Sequence, residues 1–322
     1  MSAVQSDTAM AIAEDVTLQL FLCFIGISFF MLGMRWRQFS LLFLRIEKHS
    51  ENAVGDAHPA GVGRRMWLVT VGVFGCALVE HVFDRFTEVM NIMEFGNYTS
   101  VQAYLDDTLF ERPFWEAALK VFEFISYTYW AVLVAFNDLF TMLCAVYIAM
   151  RVANFNSHLA PTLTKNKDKY FWEDARYSYD ALARLTNDVD RFISGNILMT
   201  FVRNLFYICF QLLYFLRASS DDGLWRHIYH IGTFGYVLMR TLAVSFFAAS
   251  VNDQSKLCKT FLYSVSERSY CPEVHRLLEQ AANDEMFLTG YNFFRITRSF
   301  ILTVAGTMAT YEVILLQIHV RK

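Results

Sequence analysis

The fold class of this chain is decided by one stretch, SFILTVAGTMATYEVILLQI, which runs from Ser299 to Ile318. Its residues are mostly apolar, and about 20 such residues are enough for one helix to cross a bilayer. Thr303, Thr310 and Gln317 recur every seven residues, which places them near one stripe of that helix. Polar side chains at membrane depth usually face a protein interior or a water-filled path. The stretch therefore predicts a membrane-spanning helix with one polar side.

Two interpretations of this polar stripe are open, a pore lining and a helix-packing face. Thr and Gly are common where membrane helices approach closely, which supports packing. Ile314 favours a pore, because it lies four residues after Thr310 and three before Gln317 on the same stripe. A bulky apolar side chain there could close a wet path by dewetting. We therefore predict a pore lined by this last helix, with Ile314 at its constriction.

The composition extends the prediction to the whole chain. Hydrophobic residues make up 55% of the 322, and the mean hydropathy is +0.29. A water-soluble domain of this length does not need so much apolar surface. All four prolines lie outside the apolar stretches, which suits unbroken helices. We predict an all-α, polytopic transmembrane helix bundle, one domain over residues 1–322, with six spans at about 16–34, 66–83, 121–147, 196–216, 231–250 and 299–318.

Basic residues are distributed unevenly among the connections between these spans. Clusters of Lys and Arg follow the first, third and fifth spans, whereas the intervening connections are poorer in them. The positive-inside rule then places the basic connections in the cytoplasm and both termini outside. The first outer connection contains the sequon Asn97-Tyr98-Thr99. Asn97 is therefore a predicted glycosylation site.

Two of the predicted cytoplasmic segments, at about 151–191 and 252–290, keep an approximately helical rhythm of apolar residues. Pro272 lies where it suits the start of a helix. Two interpretations are open. The segments are either membrane helices that continue into a compact cytoplasmic anchor, or ordinary solvated helical loops.

The sequence contains no pattern typical of an enzyme. It has no Gly-rich phosphate loop, no nucleophile elbow and no His-x-x-x-His pair. The six cysteines lie in predicted spans or in a cytoplasmic segment, without metal-ligand spacing. A net charge of −3 does not suit a nucleic-acid partner. We predict no enzymatic activity, no cofactor, no metal and no nucleic acid.

Polar and aromatic side chains within the predicted spans are the remaining candidates for a functional site. An aromatic ring packs against the apolar C–H face of a polyol, while carboxylates and amides bind its hydroxyl groups. Several such residues share helix faces in the outer half of the predicted bundle. We therefore predict a site for a small neutral polyol, lined by Glu80, His81, Tyr127, Trp130, Asn137, Asp138, Gln211 and Tyr236.

Some of these polar and aromatic residues also have simpler explanations. Trp225 and Tyr229 fit an interfacial aromatic belt as well as a ligand site. Asp138 and Arg240 lie deeper, where a charged group needs a neutralising partner. We predict that these two residues pair with each other.

The run Thr310-Tyr311-Glu312-Val313-Ile314-Leu315-Leu316-Gln317-Ile318 resembles the signature of insect gustatory receptors. That signature is Thr-Tyr, five mostly hydrophobic residues, then Gln-Phe, and Ile318 departs from it conservatively. Other segments are similar to the sugar-receptor branch in particular: Phe293–Arg298, Leu78–His81, Asp138–Phe140 and Ala248–Asp253. The likeness runs from about Arg35 to the end of the chain.

The resemblance implies a ligand-gated, non-selective cation channel in the plasma membrane of gustatory neurons. It implies a homo- or hetero-tetramer of gustatory receptor subunits, with a sugar bound in the outer half of each helix bundle and the cytoplasmic helices forming the anchor between subunits. Tyr311 and Gln317 match the polar residues of the signature, and the resemblance implies that Gln317 lies in the pore. Together with Ile314 and Thr310 from the polar stripe, the predicted pore and gate residues are Gln317, Ile314, Thr310 and Tyr311. The family has seven spans, and the first span here resembles its second. A truncated isoform or an incomplete gene model would explain this.

Two rival functions have different sequence signatures. A secondary transporter is favoured by internal inverted repeats and by broken, Gly/Pro-interrupted spans, and we find neither in the sequence. A metabotropic chemoreceptor would signal through a partner protein and would not need a polar stripe on its last helix. The stripe therefore favours the channel.

Overall fold

The computed structural model describes residues 61–95, 100–107, 113–162, 167–217, 224–307 and 310, with scattered positions between 16 and 44. The described residues form the helices α1 (Val62–Phe95), α2 (Val101–Asp106), α3 (Phe114–Leu159), α4 (Lys169–Arg217), α5 (Leu224–Tyr263) and α6 (Pro272–Asn283). A short hairpin of β1 (Thr289–Gly290) and β2 (Phe294–Arg295) follows. The last helix begins at residue 298 and is described to 307. The predicted all-α class is confirmed.

The length of α3 follows from its sequence. It runs without a break for 46 residues and contains neither Gly nor Pro, while Pro113 precedes it and Pro161 lies just beyond it. Proline removes a backbone donor and clashes within a helix, so it is placed outside. At 1.5 Å per residue, α3 is about 70 Å long, roughly twice the thickness of a bilayer's hydrocarbon core. The predicted span 121–147 therefore continues well beyond the membrane as one helix.

Four helical segments in the described residues are long and apolar enough to cross a membrane: Val62–Met90, Phe114–Leu159, Lys169–Cys209 and Ile231–Tyr263. None of the apolar window in the first of these is buried inside the chain, and Trp67, Leu78 and Val79 are among its exposed side chains. A continuous apolar surface of this kind is a liability in water and the normal face of a helix in lipid. The chain is a multi-pass membrane protein. Parts of the predicted spans 16–34 and 299–318 lie outside the described residues.

The chain divides into two compact units. Unit 1 combines Leu139–Thr200 and Leu242–Val304 with residues up to Val69. Its fully buried side chains include Trp172, Tyr179, Leu185, Ile193, Leu262, Leu277 and Ile296. Most of the two segments predicted as cytoplasmic lie in this unit. Their described residues are mostly helical, with many buried side chains. The cytoplasmic anchor stays a prediction.

Unit 2 combines Thr70–Asp138 and Phe201–Thr241 with residues from Ala305 onward. It contains every residue of the predicted ligand site. Its buried polar residues include Asp84, Asn137, Asp138, Arg203, Asn204 and Thr233. Polar groups in the interior of a membrane helix bundle usually mark a functional site, so unit 2 is the candidate location of one.

The hairpin in unit 1 pairs Thr289 with Arg295 and Gly290 with Phe294. Tyr291 and Asn292 at its turn have φ angles of 50° and 62°, the left-handed values that tight hairpin turns require. A Cβ atom at Gly290 would overlap the Phe294 ring. Glycine is therefore needed there because the ring packs directly against the backbone.

Candidate functional site

Three aromatic side chains of unit 2, His81, Tyr127 and Trp130, form a continuous group, here called the aromatic cluster. The ring centroids of His81 and Tyr127 are 5.8 Å apart and stacked, and those of Tyr127 and Trp130 are 6.0 Å apart. The first ring comes from α1 and the other two from α3. The structure therefore brings together three residues of the predicted ligand site. Offset rings of this kind offer apolar faces with polar edges.

Arg85 covers one side of this cluster. Its guanidinium carbon lies 4.1 Å from the centre of the Tyr127 ring, and its Nη atoms lie 2.5 Å from carboxylate oxygens of Asp84 and Glu88. Asp84 also shares a hydrogen bond with the Tyr229 side chain. Sequence reasoning missed Asp84 and Arg85. The available signal was a pair of charged residues one helical turn after Glu80-His81 in an apolar helix.

A second group, the charge network, comprises Asp138, Arg203, Asn204 and Arg240. The Asp138 side chain is fully buried and lies 2.9 Å from Arg240 Nε and 3.2 Å from Arg203 Nη2. The predicted ion pair between Asp138 and Arg240 is therefore confirmed. Arg203 is a third member that the sequence did not reveal, since it lies 65 residues from Asp138 along the chain.

Asn204 connects the two arginines of this network. Its amide oxygen accepts hydrogen bonds from Arg240 Nη2 at 2.8 Å and from Arg203 Nη2 at 3.2 Å. Its amide nitrogen donates to the Thr241 hydroxyl at 2.9 Å. Two guanidinium groups thus share one carboxylate and one amide oxygen in a buried setting. The Glu80 carboxyl group lies within electrostatic range of Arg240.

Several buried polar atoms of unit 2 have no hydrogen-bond partner among the described residues. They include His81 Nδ1, Trp130 Nε1, Thr233 Oγ1 and Arg203 Nη1. Buried polar atoms in folded proteins are nearly always paired, so each such atom requires an explanation. Thr233 lies one helical turn before Tyr236 on α5 and two turns before Arg240, so these three share a face. Sequence reasoning missed Thr233.

The hydrogen bonds of His81 indicate what it can offer to a ligand. The Thr128 hydroxyl donates its hydrogen to the Phe124 carbonyl at 2.9 Å and lies 3.2 Å from His81 Nε2. With the single hydroxyl hydrogen placed on the Phe124 carbonyl, a neutral His81 carries its proton on Nε2 and has Nδ1 as an acceptor. The aromatic cluster therefore presents an acceptor on His81 and an N–H donor on Trp130.

The remaining predicted site residues are placed as follows. Asn137 is 1% exposed beside Asp138, and the Tyr236 ring centre lies 5.5 Å from the Arg240 guanidinium carbon. The side chain of Gln211 lies outside the described part of the chain, as do Asn97, Tyr311, Ile314 and Gln317. Thr310 is helical and exposed, and its hydroxyl donates to the Gly306 carbonyl at 2.8 Å.

Unit 1 contains a separate cavity of about 460 Å³ between α4 and the chain that follows α6. Its polar lining residues include Asn187, Asn283, Asp284, Glu285 and Arg295. None of the predicted ligand residues lies there. Within the described residues, no group of three or more His, Cys, Asp or Glu side chains is placed to hold a metal ion.

Comparison with protein families matches residues 3–322 to the trehalose receptor family. Among curated relatives in Drosophila melanogaster, "Gustatory receptor for sugar taste 64f" is 28% identical over 293 residues, covering 89% of this chain and 62% of that protein. "Gustatory receptor 5a for trehalose" is 30% identical over 275 residues, covering 82% and 59%. "Gustatory receptor for sugar taste 64b" is 30% identical over 267 residues, covering 79% and 64%. The chain thus spans less than two thirds of the length of these relatives.

Among solved structures, the fold is similar to that of the insect olfactory receptor OR5 from Machilis hrabei. The TM-score is 0.65 at 16% identity, covering 94% of this chain and 79% of that one. The structure of the same receptor in complex with eugenol gives a TM-score of 0.66 at 19% identity, with the same coverage. At these identities the likeness concerns the fold alone, a transmembrane bundle of helices.

Proposed function

This chain belongs to the insect sugar gustatory receptor family, and from that premise we propose that it is a sugar receptor that gates a cation pore. Its relatives are receptors, in agreement with the prediction that the chain is not an enzyme. The proposal has two parts, a sugar site in unit 2 and a pore lined by the last helix. The sugar site is supported by the described side chains, and the pore is supported by the sequence of the last helix.

The observation that carries the sugar site is the coincidence of stacked rings with unpaired polar atoms. His81 Nδ1 is an acceptor, Trp130 Nε1 is a donor, and the Thr233 hydroxyl can act as either. A sugar presents an apolar C–H face and hydroxyl groups that both donate and accept. Its ring could pack on the aromatic cluster while its hydroxyl groups satisfy these atoms. One of the relatives is named for trehalose, which makes that disaccharide the first ligand to test.

The pore is supported by the Thr303, Thr310, Gln317 stripe with Ile314 on the same side. A single helix cannot enclose a path for ions, so several subunits are needed to complete one. We propose a homo- or hetero-tetramer of gustatory receptor subunits in the plasma membrane of gustatory neurons. The uncharged amide of Gln317 would contact ions without a fixed charge, which suits weak discrimination among cations.

The sugar site is tested by removing one hydroxyl. We expect Thr233→Val to weaken trehalose binding by about tenfold to a hundredfold, because a buried sugar hydroxyl would lose its partner. The same change should leave the sugar-free protein as stable as before, since it removes a polar atom that has no partner in the described structure. Equilibrium binding and thermal unfolding of detergent-purified protein measure the two quantities.

Thr241→Val is the matched control, because it makes the same chemical change on the same helix. The Thr241 hydroxyl accepts from Asn204 and donates to the Val237 carbonyl at 2.8 Å, so its loss should lower stability in the absence of sugar. Trp130→Phe and Tyr129→Phe form a second pair, in which only Trp130 belongs to the aromatic cluster. Unchanged affinity in both Thr233→Val and Trp130→Phe would contradict the proposed site.

The orientation of the chain in the membrane is tested at Asn97. If the basic connections are cytoplasmic, this sequon faces the lumen of the endoplasmic reticulum during synthesis. Asn97→Gln should then increase gel mobility by the loss of one glycan, and glycosidase treatment should abolish the difference. A reporter inserted at Lys165 should be cytoplasmic. Finding that reporter outside the cell would show that the proposed orientation is reversed.

A further inference from the structure

The segment of residues 284–297, here called the linker, joins α6 to the last helix and includes the hairpin. Asp190 on α4 binds it through both carboxylate oxygens. Oδ1 accepts from the Thr289 backbone N–H at 2.6 Å, and Oδ2 accepts from the Thr289 hydroxyl at 2.7 Å. Hydrogen bonds to an ionised group are roughly twice as strong as neutral ones. Asp190 thus holds one residue of the linker at two points.

Other side chains of unit 1 also hold the linker by its backbone. The Tyr179 hydroxyl donates to the Asp284 carbonyl at 3.1 Å. Asn252 donates to the Met286 carbonyl at 3.3 Å, and the Ser255 hydroxyl accepts from the Met286 N–H at 3.0 Å. Backbone bonds within the hairpin alone would fix its shape and not its position. These side-chain contacts fix its position against α4 and α5.

The far end of the linker is attached to the start of the last helix. The Phe294 and Phe300 rings stack with centroids 4.7 Å apart, and Arg298 Nε lies 2.7 Å from the Asp253 carboxylate. The Thr297 hydroxyl accepts from the Phe300 N–H at 3.2 Å, which caps the helix. A displacement of the linker would therefore be transmitted to the helix start rather than absorbed between them.

We propose that Asp190 is a positioning residue, which holds the linker and, through it, the start of the last helix. The coupling role rests on the proposed pore, because positioning that helix has a functional consequence only if it lines the path for ions. Asp190 and Thr289 lie 99 residues apart, and their contact joins α4 to the segment that leads into the last helix. α4 itself does not need this contact, since its own backbone bonds and buried side chains are formed without it.

Hydrogen–deuterium exchange on the purified full chain tests the attachment independently of any current. In Asp190→Ala, peptides covering 284–297 should exchange about tenfold to a hundredfold faster, because a charge-assisted hydrogen bond to the Thr289 N–H is lost. Asp190→Asn keeps an acceptor oxygen and should restore part of the protection. Peptides from 139–159 should be unaffected in both variants. Unchanged exchange at 284–297 in Asp190→Ala, or equal loss throughout the chain, would overturn the attachment.

Asp188→Ala is the matched control, because Asp188 lies two residues earlier on α4 and faces about 200° away around the helix. The functional comparison uses trehalose affinity of purified protein and trehalose-evoked current normalised to surface protein. We expect Asp190→Ala to keep the affinity within about twofold while the maximal current falls severalfold, and Asp188→Ala to change neither. An equal fall in both quantities would indicate a merely structural role. If the wild-type chain binds trehalose but passes no current, the proposed pore and the coupling role of Asp190 are both wrong. The exchange experiment tests the attachment of the linker independently of that result.

Discussion

Replacing Asp138 with Asn should lower the stability of the sugar-free protein by about 3–5 kcal/mol. The change is nearly isosteric, so it creates no cavity; it removes the charge and turns one acceptor oxygen into an NH2 donor. Arg203 and Arg240 would then lie buried together, with side chains 5% and 12% exposed, without the carboxylate between them. We expect the melting temperature of detergent-purified protein to fall on the order of 10 °C, with reduced surface expression.

Glu123→Gln provides the matched control on the same helix. Glu123 pairs with Lys120 at 2.9 Å, but both side chains are more than half exposed, and such pairs contribute at most about 1 kcal/mol. Its melting temperature should therefore stay within a few degrees of wild type. If Asp138→Asn were as stable as Glu123→Gln, the charge network would not be a determinant of stability.

A second change separates charge balance from general disruption. Adding Arg203→Gln to Asp138→Asn removes one of the two uncompensated charges, so the double variant should be more stable than Asp138→Asn alone. Neighbouring sites in one network are expected to be non-additive in this way. A double variant less stable than either single one would mean that Arg203 stabilises the protein chiefly through packing.

The second large effect is expected at the predicted constriction of the pore. Ile314→Ser should produce current without any ligand, because a ring of small hydroxyl side chains around the axis would stay wet where branched apolar ones exclude water. Whole-cell recording in the absence of sugar measures this current. Leu315→Ser is the matched control, since it adds the same side chain one residue later, on the side of the predicted helix opposite Gln317.

Gln317→Glu extends the same prediction from gating to selectivity. A ring of carboxylates would attract divalent cations more strongly than uncharged amides do, so permeability to Ca²⁺ relative to Na⁺ should rise. The recordings should use variants with matched surface expression. If Ile314→Ser stays silent and Gln317→Glu leaves the permeability ratio unchanged, the polar stripe is a packing face and the pore assignment is wrong.

Much of the ligand-site proposal could be drawn from the sequence, because it depends on positions along single helices. Tyr127 and Trp130 are three residues apart, so helical geometry alone places them on one side of α3. His81 on α1 was also predicted for the site, but only the structure shows its contact with them, through stacking on Tyr127. Thr233 could not be found in the same way. The hydroxyl of a threonine in an apolar span usually donates a hydrogen bond to a backbone carbonyl of its own helix. Only the structure shows that the Thr233 hydroxyl has no partner among the described residues.

The charge network shows the same division between sequence and packing. Two opposite charges in apolar spans predict each other, since neither is tolerated alone in a low-dielectric interior, and this was sufficient to pair Asp138 with Arg240. The choice of Arg203 as the third member depends on how α4 is rotated against α3. That rotation is set by side chains all along both helices, so no local pattern around Arg203 reveals it.

The sequence by itself determined that this is an all-α, multi-pass membrane protein of the insect sugar gustatory receptor family. Hydropathy, helical periodicity and the Thr310–Ile318 signature are properties of adjacent residues, so they can be read without any contact between helices. The tertiary structure alone decided that Asp190 binds Thr289, 99 residues away, and that two arginines share Asp138. Such contacts join residues far apart in the chain, and they form only where helix packing fixes both distance and rotation.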